Sequence, residues 1–182
     1  MTNKNNNHVI LILEDDPEQM DLLSNFALNE IQKLLDDEGI SQTIKQELLN
    51  INIIRVPDLY SLKCAAQKYP QTILAILDCN APDTKDSAPH DQFIKSGYKI
   101  TGRHRSVDIV RKYLPNAQIT LISSLLRFQR IVTRYYQSQH DLNINFISKS
   151  EQEKINRNIG HYLRKYLATL SGESYRTIEA HN

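Results

Sequence analysis

Cysteine is scarce in this 182-residue chain. Cys64 and Cys79 are too few to form a disulfide framework, which favours a reducing compartment, the cytoplasm. Long apolar runs are absent: none approaches the ~20 residues that a membrane-spanning helix needs. The first residues also lack the basic-then-apolar order of a signal peptide. No internal repeat is visible. Nor is there an overall excess of either charge, the formal net charge being +1. That balance hides an asymmetry: residues 1–94 carry 7 Lys/Arg against 15 Asp/Glu, and residues 95–182 carry 15 against 6. The simplest account is that the two halves interleave in one fold, so neither a nucleic-acid surface nor a membrane contact is expected.

What the chain does have is an ordinary globular composition, 40% hydrophobic and 24% charged, in a length that fits one domain with insertions. Only residues 1–7 are polar enough to be a disordered tail. Five short, nearly continuous aliphatic runs follow: Val9–Leu13, Ile51–Val56, Ile73–Leu77, Ile119–Ile122 and Ile144–Ile147. Such runs predict strands buried on both faces of a parallel sheet. Helical spacing appears between them. Asp16 is placed to cap a first helix, with Pro17 at its first position, Gln19 at the capping-box position and Gly39 at its end. Further helices are predicted at about Ser41–Leu49, an insertion before the second strand, and at Asp58–Tyr69, Ser106–Leu114, Leu125–Ser138 and Ser150–Leu170. Pro70 and Pro115 stop the third and fourth. Residues 82–105 form a long loop without periodicity. The alternation predicts an α/β doubly wound, five-stranded parallel sheet with helices on both faces, over residues 8–170, with 171–182 as a tail.

In such a sheet, ligands bind beyond the carboxyl ends of the strands. Strand one delivers Glu14, Asp15 and Asp16 there. Strand three delivers Asp78, followed by Cys79, Asn80, Ala81 and Pro82; strand four delivers Ser123 and Ser124, and strand five Lys149. Clustered carboxylates repel one another unless a divalent cation neutralises them, and hard oxygen donors with open water positions suit Mg²⁺. Asp78 can then attack phosphorus as a nucleophile. The metal, Lys149 and the Ser123 hydroxyl are the groups available to stabilise the equatorial phosphoryl oxygens, and the Asn80 backbone carbonyl is a further metal ligand. Taken singly these residues mean little. Glu14–Asp16 alone is an acidic helix start, Lys149 alone a solvated lysine, Ser123 and Ser124 turn formers, and Phe146 core; only their arrival at consecutive strand ends is specific.

The segment Leu11-Ile-Leu-Glu-Asp-Asp-Pro17 resembles the opening of the receiver domains of bacterial response regulators. Asp78-Cys-Asn-Ala-Pro82 is similar to their phosphoacceptor segment, Ile122-Ser-Ser124 to their hydroxyl-bearing end of strand four, and Phe146-Ile-Ser-Lys149 to their end of strand five. The motifs stand in the family's order over about Val9 to Leu167, and the resemblance implies the flavodoxin-like strand order 2-1-3-4-5. The resemblance implies a phosphoprotein of a two-component or phosphorelay system that accepts a phosphoryl group on Asp78 with Mg²⁺. Glu14 and Asp15 would be its acidic pair, with Asp15 the direct ligand, and Lys149 would bind the phosphoryl oxygens. Ser123 and Phe146 would form its switch. A histidine kinase or a phosphotransfer protein would be the donor. Signalling would run by protein contact, including a homodimer through the face made by the helix after strand four, strand five and the last helix, whose tyrosines Tyr162 and Tyr166 are expected to be exposed. With about a dozen residues after the last helix, no output domain is expected, and the chain is not expected to be a turnover enzyme.

Two departures stand out: Ser150 replaces the proline that usually follows the lysine, and the loop after the phosphoacceptor is longer than usual. Two other functions compete. A pseudo-receiver would keep the fold as a binding module without the switch. A phosphohydrolase of the haloacid dehalogenase type would need its nucleophile on the first strand motif and a second Asp two residues later, where this chain has Asn80. Cys79 reads as an inert small side chain, and His90, His104 and the loop aspartates match no metal-ligand spacing. Arg127, Arg130 and Arg134 make a basic stripe on the predicted Leu125–Ser138 helix.

Overall fold

The computed structural model describes residues 8–79, 81–82, 105–124 and 144–171. The expected tails at 1–7 and 172–182, the loop residues 83–104, Asn80 and the Leu125–Ser138 helix with its arginines lie outside the described residues.

Five parallel strands form one sheet: β1 (Val9–Leu13), β2 (Asn52–Val56), β3 (Thr72–Asp78), β4 (Gln118–Ser123) and β5 (Ile144–Ser148), in the order β2-β1-β3-β4-β5. The parallel direction is that read from the aliphatic runs, and the order is the one the receiver resemblance implies. Strand alternation divides the core in two. Ile10, Ile12, Leu74, Ile76, Ile122 and Ile147 project to one face, against helices α1 (Pro17–Asp36) and α5 (Gln152–Ser171). Leu11, Leu13, Ala75, Leu77, Ile119 and Leu121 project to the other, against α3 (Leu59–Lys68) and α4 (Arg105–Tyr113). Helix α2 (Gln42–Leu49) precedes β2 and buries Leu48 alone among its residues.

Local chemistry sets the helix ends. The Asp16 carboxylate accepts from the Glu18 amide at 2.9 Å and the Gln19 amide at 3.5 Å, which starts α1. The reciprocal half of a capping box is not made: the Asp16 amide donates to Glu14 Oε1 at 3.3 Å instead of to Gln19. Helix α1 stops at Asp36, before Gly39, because Asp37 is extended and its carboxylate takes the Gly39 amide at 2.9 Å. Asp58 caps α3 by accepting from the Ser61 amide at 2.7 Å, and α3 ends ahead of Pro70. Helix α5 begins at Gln152, two residues later than the periodicity suggests, because Lys149 and Ser150 form a turn and the Glu151 carbonyl accepts the first helical amides. Buried Thr120 links the sheet to α5 by donating to Asn158 Oδ1 at 2.6 Å.

One expectation is overturned on α5. Tyr162 is buried, and Tyr166 packs against the α1/α5 core with its hydroxyl enclosed, so neither ring offers a dimer surface. Burial raises both phenol pKa values; the Asn158 hydrogen bond opposes this at Tyr162, and the Glu47 charge adds to it at Tyr166. The periodicity that places a tyrosine on a helix does not say how far round the helix the core reaches.

Candidate functional site

The carboxyl ends of β1, β3 and β5 bring Glu14, Asp78 and Lys149 together. Glu14 follows β1, held by its amide's hydrogen bond to the Val56 carbonyl at 3.1 Å. Asp78 is the last residue of β3, flanked by β1 and β4 in the middle of the sheet. Lys149 follows β5, and its amide donates to the Ser123 carbonyl at 2.9 Å. These three positions continue the alternation of Ile12, Ile76 and Ile147, so all project from the same side of the sheet.

Their side chains meet. Lys149 Nζ donates to Glu14 Oε1 at 2.9 Å and stands 2.7 Å from Oε2 and 3.3 Å from Asp78 Oδ2. Glu14 and Asp78 are almost wholly buried, at 1% and 3% exposure, whereas Asp15 is exposed. Carboxylate oxygens of Glu14, Asp15 and Asp78 lie within 4.8 Å of one another. Two buried acids thus share one lysine with a third close by, and Glu14 bears the consequence. Burial raises its carboxyl pKa, the Asp78 charge raises it further, and the Lys149 hydrogen bond and charge only partly offset this. At Lys149 burial works against the ammonium form, but the two carboxylates together outweigh it and the net shift is upward.

This donor set fits a hard divalent cation: the oxygens are close enough to share one ion, they carry surplus negative charge, and Asp15 opens the cluster to solvent. Glu14 Oε1 takes the Lys149 hydrogen bond, while Glu14 Oε2 is buried with no hydrogen-bond partner among the described residues, as an acidic cluster suited to an ion would have.

Ser123, at the end of β4, is 1% exposed. It lies on the opposite side of the sheet from the acids, in line with Leu121, whose partner across the β4–β5 ladder is Phe146. Phe146 is half-buried against the α3/α4 core. The hydroxyl and the aromatic ring therefore share a face, with the sheet between them and α1. The loop after Asp78 is tied at both ends of its described part: the Cys79 amide donates to the Ile122 carbonyl at 2.9 Å, and the Pro82 carbonyl accepts the Leu59 amide at 3.0 Å. Cys79 is buried and Cys64 exposed, and neither is in a disulfide.

A second buried acid escaped the sequence reading. Glu30 on α1 is 4% exposed and accepts from Lys33 Nζ at 2.6 Å and Asn156 Nδ2 at 3.0 Å. Gly160 of α5 passes so close that a Cβ there would run into the Glu30 carboxylate. The only hint in the sequence was a glycine inside a helical pattern, which marks close packing.

No family model and no curated protein matches the chain. Similarity appears among solved structures. A pilus assembly-related protein from Burkholderia pseudomallei aligns with a TM-score of 0.50 at 8% identity, over 90% of this chain and 94% of its own. A pilus assembly protein from Caulobacter crescentus gives 0.45 at 12% identity, over 84% and 90%. A response regulator receiver domain from Rhodospirillum rubrum gives 0.45 at 16% identity, over 91% and 95%. Among the described residues no helix is long and apolar enough to cross a membrane. With five parallel strands ordered β2-β1-β3-β4-β5 and helices packed on both faces, the chain has a flavodoxin-like, doubly wound fold.

Proposed function

We propose that this chain is a phosphoacceptor response regulator of the cytoplasm, modified on Asp78 and signalling through protein contacts. The observation that carries the reading is the convergence of Asp78 with Glu14 and Lys149 at 2.7–3.3 Å, at the carboxyl edge of the sheet. A buried carboxylate beside a lysine and a second acid is an unfavourable arrangement for stability alone, since desolvation is only partly offset. It becomes useful when a phosphoryl group arrives.

In the proposed reaction an Asp78 carboxylate oxygen attacks phosphorus in line. The new O–P bond forms as the bond to the donor breaks, and the donor leaves with the bonding electron pair. From a phosphohistidine of a kinase or phosphotransfer protein, that leaving group is the imidazole; from acetyl phosphate, it is acetate. The burial of Asp78 keeps competing water away from the acyl phosphate. The Lys149 ammonium, already against Asp78, is placed to stabilise charge on a phosphoryl oxygen. Asp15, Asp78 and the Asn80 carbonyl would hold Mg²⁺, with Glu14 completing the acidic pair; bound there, the ion supplies neutralisation of the cluster and of the incoming phosphoryl oxygens. Ser123 and Phe146, sharing the opposite face, are the proposed route from modification to surface change.

This chemistry stops at one modification, so the chain is a regulator and not a turnover enzyme. The test is intact mass with Mg²⁺ and acetyl phosphate. A labile gain of one phosphoryl group in wild type, absent in Asp78→Ala, is the expected result. No gain, together with no response to a beryllofluoride mimic, would leave a binding module without the switch. Steady turnover of a generic phosphate ester would make the chain a phosphohydrolase.

A further inference from the structure

Lys149 reaches the site on a long, flexible side chain whose rotamer entropy is worth about 2 kcal/mol. Its placement therefore depends on a fixed base. That base is a two-residue turn between β5 and α5, where amides are ordinarily left to solvent. Here the turn amides are met by the protein. The Lys149 amide goes to the Ser123 carbonyl, at 2.9 Å. The Ser150 amide donates to Ser148 Oγ at 3.4 Å, and the two serine hydroxyls are 2.8 Å apart. The Glu151 amide donates to the Ser148 carbonyl at 2.9 Å, and the Ser148 amide faces Glu151 Oε2 at 3.4 Å. Ser148 thus touches both residues that follow Lys149, through its hydroxyl and through its own peptide.

Its environment makes that hydroxyl conspicuous. Ser148 is 1% exposed on a strand whose other residue on that face, Phe146, packs in the apolar core. A buried hydroxyl is costly unless bonded, and this one is bonded to the turn that carries Lys149. It also stands beside Ser123 in the ladder, so the strand ends bearing the two serines are locked together.

We propose that Ser148 is a positioning residue: its hydroxyl closes the turn over Lys149 and so fixes where the lysine ammonium stands against Glu14 and Asp78. The functional consequence rests on the phosphoacceptor reading, but the positioning itself does not. In the unmodified protein the Lys149 ammonium, held by two carboxylates, gives a slowly exchanging resonance in lysine-selective ¹H–¹⁵N spectra. Ser148→Ala broadens it away while urea unfolding confirms a folded protein, and Ser148→Thr keeps it. Ser150→Ala, at an exposed position, removes the partner hydroxyl and weakens the signal should Ser148→Ala fail to fold. With acetyl phosphate, Ser148→Ala slows modification about tenfold in the wild-type background and adds nothing in Lys149→Ala, because a residue acting only through the lysine has no effect once the lysine is gone. An unchanged ammonium resonance in Ser148→Ala, or an equal slowing in both backgrounds, overturns the proposal. A wild type that shows the resonance response but takes no phosphoryl group retains the positioning and rejects the phosphoacceptor reading.

Discussion

Two glutamates of this chain are buried to nearly the same degree, Glu14 at 1% and Glu30 at 4% exposure, and each lies against a lysine. Their surroundings differ in one respect. Glu30 has donors to itself: Lys33 and Asn156 bond it, and no second acid competes. Glu14 shares Lys149 with Asp78, and Asp15 lies within reach of both. The first arrangement is balanced and bolts α5 to α1. The second keeps an excess of negative charge in a desolvated place, which raises the Glu14 pKa and has no structural purpose that Glu30 does not serve more simply. A buried acid with enough donors is a fastening; a buried acid without enough is a site.

The contrast can be tested by breaking each cluster in turn. The largest expected effect is at the site. Glu14→Gln lowers Mg²⁺ affinity, read by titration calorimetry, at least tenfold, or about 1.4 kcal/mol or more, and slows phosphoryl uptake with it. The same variant leaves the urea midpoint measured without metal unchanged or higher, since it removes a repelled buried charge. Glu30→Ala behaves in the opposite manner. It costs about 2 kcal/mol of stability, through lost hydrogen bonds and a cavity, and leaves Mg²⁺ affinity within twofold of wild type. If Glu30→Ala instead abolished Mg²⁺ binding, the separation of fastening and site would be wrong.

Gly160→Ala should cost about 1 kcal/mol despite the better helix propensity of alanine, because the new Cβ displaces the Glu30 carboxylate from its donors. A stabilised Gly160→Ala would mean that the carboxylate swings aside freely. The smallest effect is in pH dependence. The folded state holds the Glu14 proton to higher pH than the unfolded chain does, so this group's contribution is full below the ordinary glutamate value and is lost as pH rises through the folded value. Without metal, wild type should therefore lose stability on this account as pH rises above the ordinary glutamate value, a slope reduced in Glu14→Gln and in saturating Mg²⁺. Lys149, also raised, contributes stability that persists through neutral pH and disappears only above the ordinary lysine range. Equal slopes in wild type and Glu14→Gln would remove Glu14 from the account.

Much of the fold was legible because each strand carries an aliphatic run flanked by turn chemistry, and β1 matches its run from Val9 to Leu13 residue for residue. The edge strands β2 and β5 are only partly buried, against the two-faced burial read from their runs, because each has a neighbour on one side alone. The caps of α1 and α3 were equally plain, since Asp16 and Asp58 stand just ahead of helical patterns. Helix ends were harder. Asp37 and Glu151 settle them through side-chain and backbone hydrogen bonds that no periodicity announces. At the site, Glu14, Asp78 and Lys149 were readable from their place after strands, because parallel strands in one sheet deliver their next residues to one edge.

Sequence by itself therefore determined the alternation of strands and helices, their parallel direction and which residues emerge at the carboxyl edge, because those follow from short-range patterns and from the handedness of parallel crossovers; the order of the strands follows from the resemblance and not from the patterns. Only the tertiary structure decided what each charge meets. That Lys149 grips Glu14 at 2.7 Å, that Glu30 is enclosed by Asn156 and the bare backbone of Gly160, and that Tyr162 turns inward all depend on elements far apart in the chain. The free energy of a buried polar group is set by its partners and its desolvation, and neither is fixed until the helices have docked on the sheet.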